Sequence, residues 1–319
     1  MGMKRLSFIF LFLFALVEIT NAQNFYSRRR NRTVMFSYGI GIAQYHGDLH
    51  DVLYDGMGSA TGFSLGAGIR KSLGSAISLR FDVNYYQIGG DDAENGALNP
   101  DGALLQRSQG RANTPDTRFI RNLSFRSRNW EFALTANLKL IPVKGSYTRR
   151  PIFNPYIIAG IGFTTSNPKA QDPLTGDWVN LRKDIVTEPG FNENGDQSGL
   201  FKFVVPLGIG VRLRANKYID VLIEGARRFT FTDYLDDVST RYASVDDIRA
   251  ANPNNPDLAV RLYDRSAEGG YTPRPEGSIR GNPELNDAYY IFQIRLEMYL
   301  PDNVFSEIFS PSRRKPKFR

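Results

Sequence analysis

The chain has 319 residues, 40 Lys and Arg against 33 Asp and Glu, a formal net charge of +7, two histidines and no cysteine. Without cysteine there is no disulfide framework, no thiol chemistry, no zinc–thiolate site and no lipidated N-terminal cysteine. After the first segment no run of eighteen apolar residues occurs, which excludes a helical membrane protein, and no linker separates two patterned regions.

Lys4 and Arg5 precede an apolar run over residues 6–17, too short to span a bilayer as a helix, and Thr20-Asn21-Ala22 resembles a signal-peptidase site. Residues 1–22 are therefore expected to be a signal peptide, with 23–33 a basic periplasmic segment carrying Arg28, Arg29, Arg30 and Arg32. From residue 34 onward, period-two alternation predicts eight strands, at 34–45, 61–71, 76–88, 129–141, 156–165, 201–214, 218–232 and 289–300. In the sixth, Phe201, Phe203, Val205, Leu207, Ile209, Val211 and Leu213 hold one face, with Lys202, Gly208, Gly210, Arg212 and Arg214 among the residues between them. Each predicted strand has the length needed to cross a bilayer at a tilt, about 9–11 residues or slightly more.

Alternation alone fits a soluble barrel with an apolar interior equally well. The glycines decide between them. Gly39, Gly41, Gly62, Gly66, Gly68, Gly160, Gly162, Gly208 and Gly210 share the face that carries the charges, where they make room for long ionic side chains inside a narrow lumen. The expected fold is all-β: an eight-stranded antiparallel up-and-down transmembrane β-barrel of the OmpA-like or OmpX-like kind over 34–300, with long extracellular loops.

Links after predicted strands two, four and six are short, whereas those after one, three, five and seven are long, the last running over 233–288. Short periplasmic turns and long outer loops follow, with both termini periplasmic and the protein in the outer membrane. The first long loop holds Asp48, Asp51 and Asp55 without Lys or Arg, and the last holds eleven acids against six arginines. Cations gather at the other end: the N-terminal arginines, Lys144, Arg149 and Arg150, and Arg313, Arg314, Lys315, Lys317 and Arg319 of a periplasmic tail over 301–319. Phe305, Ile308, Phe309 and Phe318 interleave with those tail charges, which favours a docking segment for an acidic partner over a solvated end near anionic headgroups.

Arg70, Arg80, Asp82, Glu131, Lys139, Lys202, Arg212, Asp220, Glu224, Arg228, Arg295 and Glu297 fall on the lumen face. They would line a pore or fill a salt-bridged plug, and eight strands enclose only enough space for the plug. Arg227 falls on the lipid face, at headgroup level or beside a register-shifting bulge. His46 and His50 are readable as metal ligands, as general bases with Asp48 or Asp51, or as a polar loop start with Gly47 and Asp48 in the turn. The loop start is the better fit, because no serine or acid constellation is tied to them. Gly89-Gly90-Asp91-Asp92-Ala93-Glu94-Asn95-Gly96 lacks regular calcium-loop spacing and reads as a solvated turn, and the Pro- and Asn-rich stretches near 113–115, 252–256 and 273–275 read as mobile loop.

Gly39-Ile40-Gly41, Tyr45, Gly47-Asp48-Leu49, Asn154-Pro155-Tyr156, Ala159-Gly160-Ile161-Gly162 and the stretch Arg228-Phe229-Thr230-Phe231-Thr232-Asp233-Tyr234-Leu235-Asp236-Asp237-Val238-Ser239 resemble the Bacteroidetes outer-membrane barrel family that includes PorG, a type IX secretion component. The resemblance implies a barrel without enzymatic activity, cofactor or metal. It would be bound at its periplasmic face to the ring proteins of secretion or gliding motility. Partners expected alongside are outer-membrane lipid and lipopolysaccharide, and no nucleic acid. The competing functions are a generic surface barrel for adhesion or membrane integrity and, third, an outer-membrane hydrolase using His46 or His50.

Overall fold

The computed structural model describes residues 34–50, 61–93, 117–189 and 199–300. Its long strands are β1 (Val34–His46), β2 (Thr61–Ser72), β3 (Ile77–Asp91), β4 (Ser124–Lys139) and β5 (Phe153–Thr165). A short hairpin, β6 (Pro168–Gln171) and β7 (Trp178–Asn180), is followed by the long strands β8 (Phe201–Arg214), β9 (Ile219–Thr230) and β10 (Ala288–Tyr299). Among the described residues three α-helices lie in connections: α1 (Thr117–Arg121), α2 (Val245–Ala251) and α3 (Pro256–Tyr263). The long strands pair antiparallel in the cyclic order β1-β2-β3-β4-β5-β8-β9-β10, and β10 closes back on β1 from Met35 opposite Tyr299 to His46 opposite Ala288. The chain is a closed eight-stranded antiparallel β-barrel.

The alternation sets the two faces. Outward stand Ile40, Leu65, Phe81, Leu134, Ile161, Leu207, Ile223 and Ile294, all exposed on the isolated chain, while the glycines and the charged residues between them point in. An apolar exterior around an ionic interior is the inverse of a soluble barrel and suits a bilayer. Rings cluster on the exterior toward the long-connection end: Phe63 against Tyr85 (5.7 Å), Tyr85 against Trp130 (5.0 Å), Phe163 against Phe203 (5.6 Å) and Phe203 against Phe231 (5.7 Å). Such a ring belt marks a membrane–water interface. No described helix is long and apolar enough to cross a membrane.

Pro206 has no N–H to give, and the β5–β8 register is interrupted there, lacking the pairs Gly160–Pro206 and Ile161–Val205. A closed barrel has no edge strand to hold such a residue, so the ladder is interrupted locally instead. Gly208 is needed for a different reason. A Cβ there would run into the Gly225 carbonyl and the Ala226 side chain on β9.

Several expectations are corrected. The predicted third strand extends to Asp91 and the fourth begins at Ser124, because Gly89 and Gly90 pair with Arg126 and Phe125 and do not open a turn. Asp92 accepts from Arg121 Nε (2.7 Å), Arg121 Nη2 (2.8 Å) and the Leu123 amide (3.0 Å), so its carboxylate serves neither a solvated turn nor calcium. Of the two alternatives for Arg227 only the bulge is excluded: it sits in unbroken register with Leu207 and Tyr290, its guanidinium 4.8 Å from the Phe229 ring centre. The last connection is built structure where mobile loop was expected: Ser244 caps α2, and Asn252 holds the Val186 backbone through both N–H and C=O (2.7 and 2.8 Å). Ala170, Val179, Leu181, Ile185, Tyr242, Ile248, Ala259, Leu262 and Tyr263 bury a second small core between the β6–β7 hairpin and α2–α3.

Candidate functional site

The interior is a stack of ion pairs. At the short-turn end Arg212 reaches Glu297 (2.9 Å) and Asp220 (3.7 Å), and Arg70 reaches Glu297 (2.9 Å). One level up, Arg80 grips Glu224 through both terminal nitrogens and Asp82 through Nε (2.6 Å), Tyr156 donates to Glu224, and Arg295 reaches Asp82 (2.8 Å). Above these, Glu131 accepts from Arg228 (3.1 Å), Tyr289 (2.6 Å) and Asn84 (2.9 Å). Arg80, Asp82, Glu131, Arg212, Asp220, Glu224, Arg228, Arg295 and Glu297 are all buried, as are Arg70, Lys139 and Lys202. Each arginine has a carboxylate within reach, which is the condition for holding such charges away from water.

Space among Arg80, Asp82, Glu131, Glu224 and Arg228 amounts to about 10 Å³, room for roughly one water. Above Glu131 the lumen turns apolar: Ala43, Tyr45, Tyr86, Ile88, Phe125, Val204, Tyr289 and Ile291 meet Leu49, Leu123, Leu235 and Val238 from the long connections. Tyr86 and Tyr289 stack at 4.7 Å across it. Reconstituted in planar bilayers, the protein is expected to show no steady conductance above leak, and a reproducible open level would contradict this filled interior.

A polar lid covers the apolar plug. Arg121 donates to Asp92, to the Asp48 carbonyl (3.0 Å) and to the Arg280 carbonyl, while Arg280 pairs with Glu188 (2.6 Å) and donates to the Asp237 carbonyl (2.7 Å). Glu188 also accepts from the Ser239 amide (3.0 Å) and the Thr240 hydroxyl (2.9 Å). The Tyr45 hydroxyl lies 2.7 Å from Asp236 Oδ2 and 2.5 Å from Asp287 Oδ1. A phenol has one proton to give, so one of these two carboxyls must carry a proton of its own and donate it back. Burial first, and then neighbouring acids, raise Asp236 and Asp287 well above the usual carboxylate range. Burial and the adjacent Asp236 push Asp233 up to about 9, and burial, partly offset by Arg280, brings Asp237 to about 7. Gly47 is required beneath this group, because a Cβ would collide with the Asp287 carboxylate and the Tyr45 hydroxyl.

The histidines belong to this lid. His46 ends β1 with its ring edge-on to Tyr290 (6.2 Å), and His50 is buried with Nε2 3.3 Å from Gln44 Nε2. Among the described residues no group of three His, Asp or Glu is placed to hold a metal ion.

At the opposite end the expectation for Arg150 is overturned. It is buried, not presented to a partner: it donates to Asp220 (2.6 and 2.8 Å) and to the carbonyls of Tyr147 (2.8 Å), Lys217 (3.0 Å) and Asn216 (2.8 Å). Its guanidinium lies 4.5 Å from the Tyr299 ring centre, and Tyr147 stacks on that ring at 5.2 Å. The turn after β4 folds back under the barrel mouth, and Arg150 ties it to the β8–β9 turn. Arg149, its neighbour, is exposed. Arg28, Arg29, Arg30, Arg32, Phe309, Arg313, Arg314, Lys315 and Lys317, with the signal and the tail, lie outside the described residues.

The sequence matches no protein-family model and no curated protein. Solved outer-membrane barrels do match in structure. Neisserial surface protein A is 10% identical, with 84% of this chain and 97% of that chain covered at a TM-score of 0.34. Ail, the attachment invasion locus protein of Yersinia pestis, is 6% identical, with 83% and 96% covered at a TM-score of 0.35. A major outer membrane protein from Thermus thermophilus is 10% identical, with 83% and 98% covered at a TM-score of 0.33.

Proposed function

We propose that this chain is a non-enzymatic outer-membrane barrel that anchors a periplasmic assembly, with the short-turn end as its docking face. The observation that carries the reading is the charge of that end. Turns 73–76, 140–152 and 215–218 contain no Asp or Glu, and Lys144, Arg149 and Lys217 stand exposed on them. Asp220 nearby is buried and taken up by Arg150 and Arg212, so it does not neutralise them. A cationic rim under a filled lumen suits attachment to an acidic partner rather than passage of solute. The resemblance of the strand-one glycines and the 228–239 stretch makes type IX secretion or gliding motility the assembly to test.

The triple variant Lys144→Glu, Arg149→Glu, Lys217→Glu, pulled down from mildly solubilised membranes, is expected to keep heat-modifiable gel mobility and to lose its periplasmic co-purifying proteins. Partners retained by the triple variant would place docking elsewhere. A second reading, a surface barrel acting through its cap, is favoured by one observation: the folded core under α2 and α3. It predicts that the triple variant behaves as wild type while Asp246→Asn, Asp247→Asn on exposed α2 loses surface binding.

A further inference from the structure

Up the outer wall of β4 the residues run Leu138, Leu134, Phe132, Trp130 and then Arg128 and Arg126, so an apolar stripe ends in two cations. The change of character falls just past the ring belt, where Trp130 meets Tyr85 at 5.0 Å. At about 3.3 Å per residue, Arg128 stands roughly 7 Å and Arg126 roughly 13 Å beyond Trp130. Beside Arg126, in register on β6, is Lys169. Across the hairpin, Trp178 lies flat under the Arg126 guanidinium, 3.6 Å from ring centre to carbon. Arg128 is braced by donating its Nε–H to Gln87 on β3 (3.1 Å).

Among the described residues no carboxylate pairs with Arg126 or Lys169. That is the reverse of the lumen and lid, where buried arginines have acids. Arg126 and Lys169 also face outward, continuous with the surface that meets acyl chains, where a membrane headgroup can supply their counter-charge. Just beyond an aromatic belt at the long-loop end lie the headgroups of the outer leaflet. In an outer membrane those headgroups are phosphorylated sugars.

We propose that Arg126, Arg128 and Lys169, with Trp178 holding Arg126 in place, form a docking site for the glucosamine phosphate of a lipid A molecule. Arg126 and Lys169 converge on the phosphate oxygens as charge-assisted donors, and Trp130 and Phe132 below take the first acyl carbons. The proposal rests on the outer-membrane placement given under Proposed function, with the long connections outside the cell.

The test uses the purified full chain in detergent with bisphosphorylated lipid A, dephosphorylated lipid A and phosphatidylglycerol as probes, binding being read by native mass spectrometry. Wild type is expected to hold bisphosphorylated lipid A on the order of tenfold more tightly than Arg126→Gln, Lys169→Gln does, and by a similar factor more tightly than it holds the other two lipids. Lys144→Gln, Lys217→Gln at the opposite rim should bind as wild type. Equal binding by Arg126→Gln, Lys169→Gln and wild type, or phosphatidylglycerol held as tightly as lipid A, overturns the site. Labelling of exposed Lys183 on intact cells reads the orientation separately. Lys183 reached only after lysis would overturn the placement and the site with it, whereas labelled intact cells with unaltered lipid A binding by the double variant would overturn the site alone.

Discussion

Glu224→Leu is expected to destabilise the barrel by about 3–5 kcal/mol, the usual cost of removing one partner from a buried ion pair. The leucine has similar bulk, so the loss is electrostatic. Arg80 would keep Asp82 but lose its two-pronged contact, Arg70 would lose one of its two acids, and the Tyr156 hydroxyl would face carbon. Urea unfolding followed by heat-modifiable mobility measures this, with exposed Asp177→Leu as the reference, expected within about 0.5 kcal/mol of wild type. Adding Arg80→Met to Glu224→Leu should recover part of the loss, since the uncompensated cation goes with its partner. Equal shifts for Glu224→Leu and Asp177→Leu would mean that the network contributes little.

The lid is expected to loosen as pH rises. Asp233 and Asp237, at about 9 and about 7 in the folded protein, have an ordinary value of 3.8, so the folded lid binds more protons than the opened one between those limits. Acids raised in this way contribute stability that is complete below about pH 4 and is lost as pH climbs through the folded values. Asp236 and Asp287 act in the same direction. The reporters are the Leu235 amide, which donates to Asp287 (2.8 Å), and the Val238 amide, which donates to Asp236 (2.9 Å). Their hydrogen-exchange protection, corrected for intrinsic rate, should fall between about pH 4 and pH 9, on the order of tenfold per pH unit for each group still protonated in the folded lid, with the share of Asp237 ending near pH 7. Asp236→Asn, Asp287→Asn should make that dependence shallower, leaving the share of Asp233 and Asp237. Protection unchanged across the window in wild type would show that the folded lid does not hold these carboxyls protonated.

The barrel was legible because a two-residue period carries its own face assignment: once Gly208, Gly210 and Arg212 share a side, every lumen residue of β8 follows. Glu131 and Arg228 could be placed on that side from sequence, but their pairing could not, since register between β4 and β9 depends on strands lying between them. The hairpin β6–β7 escaped notice because strands of four and three residues are too short for alternation to register. Helix α3 begins with a proline at its first turn, and the Asn-Pro run before it reads as loop until Leu262 and Tyr263 are seen buried against the hairpin. Arg150 was misplaced for a plainer reason. Two adjacent arginines in a turn look alike in sequence, and only the folding back of the turn sends one inward and leaves Arg149 outside.

Several ion pairs of the lumen join strands remote along the chain: Arg80 and Glu224 are 144 residues apart, and Arg295 and Asp82 are 213 apart. The β2–β3 hairpin therefore carries Arg70 without either of its acids and Arg80 with Asp82 alone, and β9 and β10 carry Glu224 and Glu297 without those two arginines. Laid alone into hydrocarbon, each unmatched Arg would cost about 2–4 kcal/mol near the midplane. Stepwise entry, hairpin by hairpin, is thus uphill from its first stage. The route into the membrane must keep the charged faces wet or turned toward another protein until β10 meets β1, and the last seam to close is the event that makes the whole wall compatible with lipid.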